Sequence, residues 1–69
     1  MSTLRLIVNG EPRSLAGPAT LSTLLASLEL DPRMVVVELN REIIRRPRLG
    51  EVGLADGDQV ELVHFVGGG

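Results

Sequence analysis

A single short leucine stripe constrains this chain more than any other feature. Leu21, Leu24, Leu25 and Leu28 recur at i, i+3, i+4 and i+7, with Ser22, Thr23, Ala26 and Ser27 on the other side. That spacing predicts one amphipathic helix of about two to three turns. Gly17-Pro18 breaks the chain ahead of it, and Thr20 stands where an N-cap belongs. A helix this short is not stable in water by itself. Its stripe must be covered, and the segments on both sides alternate with the period of strands, so the cover is a sheet.

Thr3 to Val8 reads as the first strand, with Leu4, Leu6 and Val8 on one face. Asn9-Gly10 tolerates the positive φ of a type I′ turn and predicts a hairpin. Glu11 to Leu15 returns as the second strand, and Pro12, which has no N–H to donate, places it at a sheet edge. Asp31-Pro32 ends the helical region. From Met34 to Leu39, Val35, Val37 and Leu39 alternate against Val36 and Glu38, and Asn40-Arg41 turns this strand into a fourth, Glu42 to Arg45. Pro47 to Ala55 has no period, though Leu49, Val52 and Leu54 can anchor an irregular or 3₁₀ segment. Asp56-Gly57-Asp58 is a tight turn, and Gln59 to Phe65 is the last strand. Two hairpins around one helix, in the order ββαβββ, define an α+β domain with a mixed sheet and the helix packed across one face. The first and last strands are expected to be central parallel neighbours, as in the ubiquitin-like β-grasp.

Sixty-nine residues make one domain, expected over 1–66, with 67–69 as a flexible glycine tail. Phe65 is the only aromatic residue, so the core is built from Leu, Val and Ile and leaves little room for an enclosed active site. The absence of cysteine excludes disulfides, zinc knuckles, iron–sulfur clusters and side-chain thiol catalysis. Seven arginines, no lysine and a net charge of −2 lack the positive excess that non-specific nucleic-acid binding uses. Ser2 to Val8 is too short for a secretory h-region, and no apolar run approaches the roughly 18 residues of a membrane span. The expectation is a soluble, cytoplasmic protein that binds neither nucleic acid nor membrane.

Side chains offer little for catalysis. His64 lies in a strand with no nucleophile or metal-spaced partner nearby, and Asp56 and Asp58 read as a turn, since a calcium loop needs about twelve residues and a bidentate Glu. Arg41, Arg45, Arg46 and Arg48 cluster around the fourth strand. They serve either to keep an edge strand from pairing with another sheet or to dock an acidic partner.

The C-terminal end is different. Gly67-Gly68-Gly69 follows a strand directly, and glycines cost more entropy to order than any other residue, so they do not serve the fold. Lacking a Cβ, they can thread a channel that any side chain would block. Four residues from Val66 reach roughly 13–14 Å when extended. A terminal carboxylate, with an ordinary pKa of about 3.3–3.7, is ionised and able to attack the α-phosphate of ATP. Period-2 alternation also places Ile7, Val36, Val63 and Phe65 on the sheet face away from the helix, where one apolar docking patch beside Val66 and the tail is expected.

Several stretches together resemble the ThiS family of sulfur carriers of the thiazole pathway, over essentially the whole chain. They are Val8-Asn9-Gly10-Glu11, Thr20-Leu21 with Leu24-Leu25, and Val37-Glu38-Leu39-Asn40 followed by Glu42-Ile43-Ile44. The most specific runs from Asp56 through Val63 to Val66-Gly67-Gly68-Gly69. Arg46 matches a recurring arginine of the family, a partner-binding position by resemblance. Arg41 departs from a common glycine or small polar residue, and Arg45 from a frequent proline. The resemblance implies a protein cosubstrate, not an enzyme, with no permanently bound cofactor. A ThiF-like adenylating enzyme, using ATP and magnesium, would adenylate Gly69. A persulfide protein would supply sulfur, and the Gly69 thiocarboxylate would deliver it to thiazole synthase for the thiazole of thiamin. The small subunit of molybdopterin synthase and carriers of other pathways share this fold and chemistry. A β-grasp interaction module with an incidental glycine tail is the alternative of another class.

Overall fold

A computed structural model of the chain describes residues 2–65. Strand β1 (Ser2–Val8) and strand β2 (Glu11–Gly17) form an antiparallel hairpin that pairs Leu4 with Leu15 and Val8 with Glu11. Asn9 and Gly10 take φ of 50° and 80°, the two positive values that a type I′ turn requires. Helix α1 (Leu21–Ser27) follows, then strands β3 (Val35–Leu39), β4 (Glu42–Ile44) and β5 (Gln59–His64). The sheet order is β2-β1-β5-β3-β4, with β1 and β5 parallel at its centre and every other pair antiparallel. This is the β-grasp read from the sequence, and Pro12 does lie on an edge strand.

Helix α1 begins as its residues dictate. The Thr20 hydroxyl accepts from the Thr23 N–H at 3.2 Å, and the Thr23 hydroxyl accepts from the Thr20 N–H at 3.1 Å. Those two bonds close a capping box with threonine in the usual glutamate position. The next orphan donors are met by the long connection after β4. Leu21 and Ser22 donate to the carbonyls of Val52 and Leu49 at 3.2 and 3.1 Å, and Leu54 donates to Ala19 at 2.9 Å. The aperiodic segment is therefore a belt stitched to the helix N-terminus. It opens with a 3₁₀ turn at Arg46–Arg48, and Leu49 is buried beneath the helix.

The core is one aliphatic layer between α1 and the sheet. Leu4, Leu6 and Val8 of β1, Leu21, Leu24 and Leu25 of α1, Val35 and Val37 of β3, Ile44 of β4 and Val60 of β5 are all buried. Leu28, Leu15, Leu39 and Leu62 pack at its margin. Among the described residues no polar or charged side chain is buried.

Element ends differ modestly from the sequence reading. The helix is seven residues long, with Leu28 as its C-cap. β2 continues to Gly17, because β1 offers pairing partners back to Ser2. β4 stops at Ile44, since the 3₁₀ turn carrying Pro47 takes the chain out of the ladder. Asp31-Pro32 does not simply end the helical region. It starts a 3₁₀ turn, Pro32–Met34, capped by the Asp31 carboxylate.

Candidate functional site

The base of the tail is β5, and two devices hold its end in place. On the β3 side, antiparallel pairing runs through Val36↔Val63 and Val35↔His64, and the Phe65 N–H donates to the Met34 carbonyl at 2.7 Å. On the β1 side, backbone pairing ends where β1 turns away at Asn9. There the Asn9 side chain stands in for a strand residue: Oδ1 accepts from the Leu62 N–H at 2.7 Å, and Nδ2 donates to the Leu62 carbonyl at 3.2 Å. Sequence reasoning assigned Asn9 to the turn alone. Its second role depends on the parallel register of β1 against β5, which no local pattern reveals. Val66, Gly67, Gly68 and Gly69 lie outside the described residues.

The face of the sheet away from α1 carries the expected apolar residues in a different arrangement. Val36 and Val63 are directly paired, and Phe65 comes two residues after Val63, just past the end of β5. Val63 is 55% exposed and Phe65 46%, while Val36 is half-buried. Ile7 does not join them. The parallel register sets Ile7 opposite Gln59, four residues short of Val63, which at about 3.3 Å per residue is roughly 13 Å along the strand. Glu61 intervenes on the same face. The single four-residue patch is therefore corrected to a Val36–Val63–Phe65 cluster at the end of β5, with Ile7 apart. Ile43, 63% exposed and missed from the sequence, lies on this face too, because its partner is Glu38 and Glu38 pairs with Glu61.

The residues set aside as structural are so placed. Asp56 Oδ1 accepts from the Arg5 N–H at 2.7 Å, and the Asp58 carboxylate accepts from the Ala55 N–H at 2.8 Å and from Asn40 Nδ2 at 3.1 Å. Both carboxylates thus lock the turn before β5. Among the described residues no group of three His, Cys, Asp or Glu side chains is arranged to hold a metal. His64 is exposed on the helix side, at the rim of an open groove of about 410 Å³ bordered by Asn9, Glu11, Arg13, Leu28 and Leu30. Arg41, Arg45, Arg46 and Arg48 are all exposed. The only ion pair among the described residues joins Asp31 and Arg33 at 2.8 Å. Among the described residues no helix is long and apolar enough to cross a membrane.

A five-stranded mixed sheet in the order β2-β1-β5-β3-β4, with β1 and β5 parallel and one helix across one face, defines a ubiquitin-like β-grasp protein. The sequence model of the ThiS family matches residues 6–69, and the chain belongs to that family. It is similar to the sulfur carrier protein ThiS of Bacillus subtilis, 54% identical over 50 residues, covering 72% of this chain and 76% of that one. It is also similar to the thiazole synthase of Paramagnetospirillum magneticum, 41% identical over 66 residues. That match covers 96% of this chain, which spans only 20% of the longer protein. The crystal structure of the thiamine biosynthesis protein ThiS from Geobacter metallireducens superposes with a TM-score of 0.81 at 36% identity, over 96% of this chain and 100% of that one.

Proposed function

We propose that this chain is a sulfur carrier of thiamin biosynthesis that holds sulfur as a thiocarboxylate on Gly69. The observation that carries the reading is that the family match continues through Gly69, directly beyond a strand end anchored on both sides. The Gly69 carboxylate oxygen attacks the α-phosphate of ATP in a ThiF-like adenylating enzyme, and magnesium pyrophosphate leaves. The outer sulfur of a donor protein's persulfide then attacks the acyl carbon and expels AMP. Reduction of the resulting acyl disulfide by a thiol frees the thiocarboxylate, which passes its sulfur to thiazole synthase and returns as carboxylate.

Thiazole synthase is favoured as acceptor over the enzymes of other sulfur pathways, because a relative of that name contains a stretch like this chain. The Val36–Val63–Phe65 cluster is the contact surface, with Gly67 and Gly68 spanning the gap to the partner's active site. The site of action is the cytoplasm, where ATP and the partner enzymes meet.

The test is incubation with a ThiF-like enzyme, ATP, magnesium and a persulfide donor, followed by intact-mass measurement. The expected gain is one sulfur-for-oxygen exchange, abolished when a single residue is appended after Gly69. Equal thiolation of the extended chain would overturn the reading.

A further inference from the structure

The arginines around β4 are the largest charge feature of the molecule, and of them only Arg46 has so far been given a role, by resemblance. Residues 41–48 hold four Arg against one Glu, a net +3. The rest of the chain holds three Arg against eight acidic residues, a net −5. The protein is therefore strongly polarised, with its positive charge along one edge of the sheet.

Deterring another strand does not account for this edge. β4 is only three residues long, and Pro47 follows it within a 3₁₀ turn, so it is already a poor template for pairing. One arginine also sits where its backbone is disfavoured. Arg41 has φ of 72°, a left-handed conformation that glycine adopts without the steric cost a side chain adds. Asn40 fixes the same turn, through its Oδ1 to the Gln59 N–H at 3.0 Å and its Nδ2 to Asp58, so the turn does not need Arg41.

The register connects this edge to the tail. Ile44, the last residue of β4, pairs with Val37, and Arg45 follows it in extended backbone at φ −71° and ψ 150°, at the end of β3 that carries Val36. Alternation past exposed Ile43 and buried Ile44 puts Arg45 on the outer face. The end of this edge is therefore level with the Val36–Val63 pair, roughly 10 Å from Val63 across two strand spacings. Arg46 and Arg48 follow at the same end, where β5 leads into the tail.

We propose that Arg45, Arg46 and Arg48, extended by Arg41, form a docking edge for carboxylates on the adenylating partner, next to the entrance its active site offers the tail. The inference rests on the carrier reading above and adds the chemistry of the encounter. Guanidinium groups engage carboxylates in two parallel hydrogen bonds and are less strongly hydrated than lysine. A polarised carrier approaches an acidic surface with its positive edge leading, which accelerates association and orients the tail.

The experiment measures thiolation of the full chain by the ThiF-like enzyme against carrier concentration, at about 50 and 500 mM salt, for wild type and Arg45→Gln/Arg46→Gln/Arg48→Gln. The expected result is a KM raised about tenfold at low salt, with the gap largely closed at high salt as screening removes the attraction. Arg41→Gly relieves a left-handed backbone and so keeps the fold; its KM should rise about two- to threefold if the triple variant does not fold. A variant KM equal to wild type at low salt, or a gap indifferent to salt, would overturn the docking edge. Duplex DNA retaining the wild type at 150 mM salt but not the variant would overturn it as well, in favour of a nucleic-acid surface. Absence of thiolation in the wild type at every concentration would instead sink the carrier reading itself.

Discussion

Asn9 is the side chain on which the base of the tail depends, and two substitutions separate its two roles. Asn9→Gly removes both hydrogen bonds to Leu62 and leaves the φ of 50° without steric cost. A net 0.5–1.5 kcal/mol for each bond, taken at the lower half because the pair is solvent-exposed, gives a loss of about 1–2 kcal/mol. Asn9→Ala loses the same bonds and adds a left-handed penalty of about 1–2 kcal/mol. Relative to glycine, alanine recovers about 0.4–1 kcal/mol because its unfolded chain has less freedom to lose. Stability should therefore fall in the order Asn, Gly, Ala, with alanine about 2–3 kcal/mol below wild type. For a small domain that is a large share of a total on the order of 5 kcal/mol. Urea denaturation reads the order directly, and at about 1 kcal/mol/M the alanine midpoint should drop by roughly 2 M. Amide exchange at Leu62 should accelerate in both variants, because its N–H loses its acceptor. An Asn9→Ala midpoint equal to wild type, or unchanged Leu62 exchange in both variants, would refute the reasoning.

Three further outcomes are expected. Leu25→Ala should destabilise by about 2–5 kcal/mol in chemical denaturation, since Leu25 is 1% exposed within the helix–sheet core; a smaller shift would remove it from that core. Val63→Asp should fold, because Val63 is 55% exposed, yet lose affinity for thiazole synthase by tenfold or more in titration calorimetry; wild-type affinity in a folded variant would dissociate the outer face from docking. Arg33 side-chain hydrogen bonds, then its backbone N–H, lower the Asp31 pKa to about 2. An unfolded aspartate titrates near about 3.9, so this contribution is complete above about pH 4 and is lost as pH falls through about 2. An NMR titration of Arg33→Gln should move Asp31 part of the way back to the ordinary range, because the backbone N–H of residue 33 still donates to it; a value still near 2 would assign the shift to another cause.

Much of the fold was legible because its elements are locally consistent. The leucine stripe, the Thr20 cap, the Asn9-Gly10 turn and the alternation of β1 and β3 each act within a few residues, and each agrees with the others. The glycine run at 67–69 was read from the sequence alone, and it lies outside the described residues. The aperiodic belt was legible only as three anchors, because its hydrogen bonds run to the start of α1 and not along itself.

What only the tertiary structure decided is how strands distant in sequence line up. Alternation says which face a side chain takes, and it agrees with the strand pairing at Ile7, Val36 and Val63. It cannot say how far along a neighbouring strand that side chain sits. A parallel pair has no connecting turn to fix its offset, so the core packing of β1 against β5 sets it. That offset left Ile7 roughly 13 Å from Val63 and brought Asn9 to Leu62. The same long-range pairing brought the end of β4, where Arg45 follows Ile44, level with Val36 and Val63, turning a charged stretch of sequence into an edge beside the end of β5.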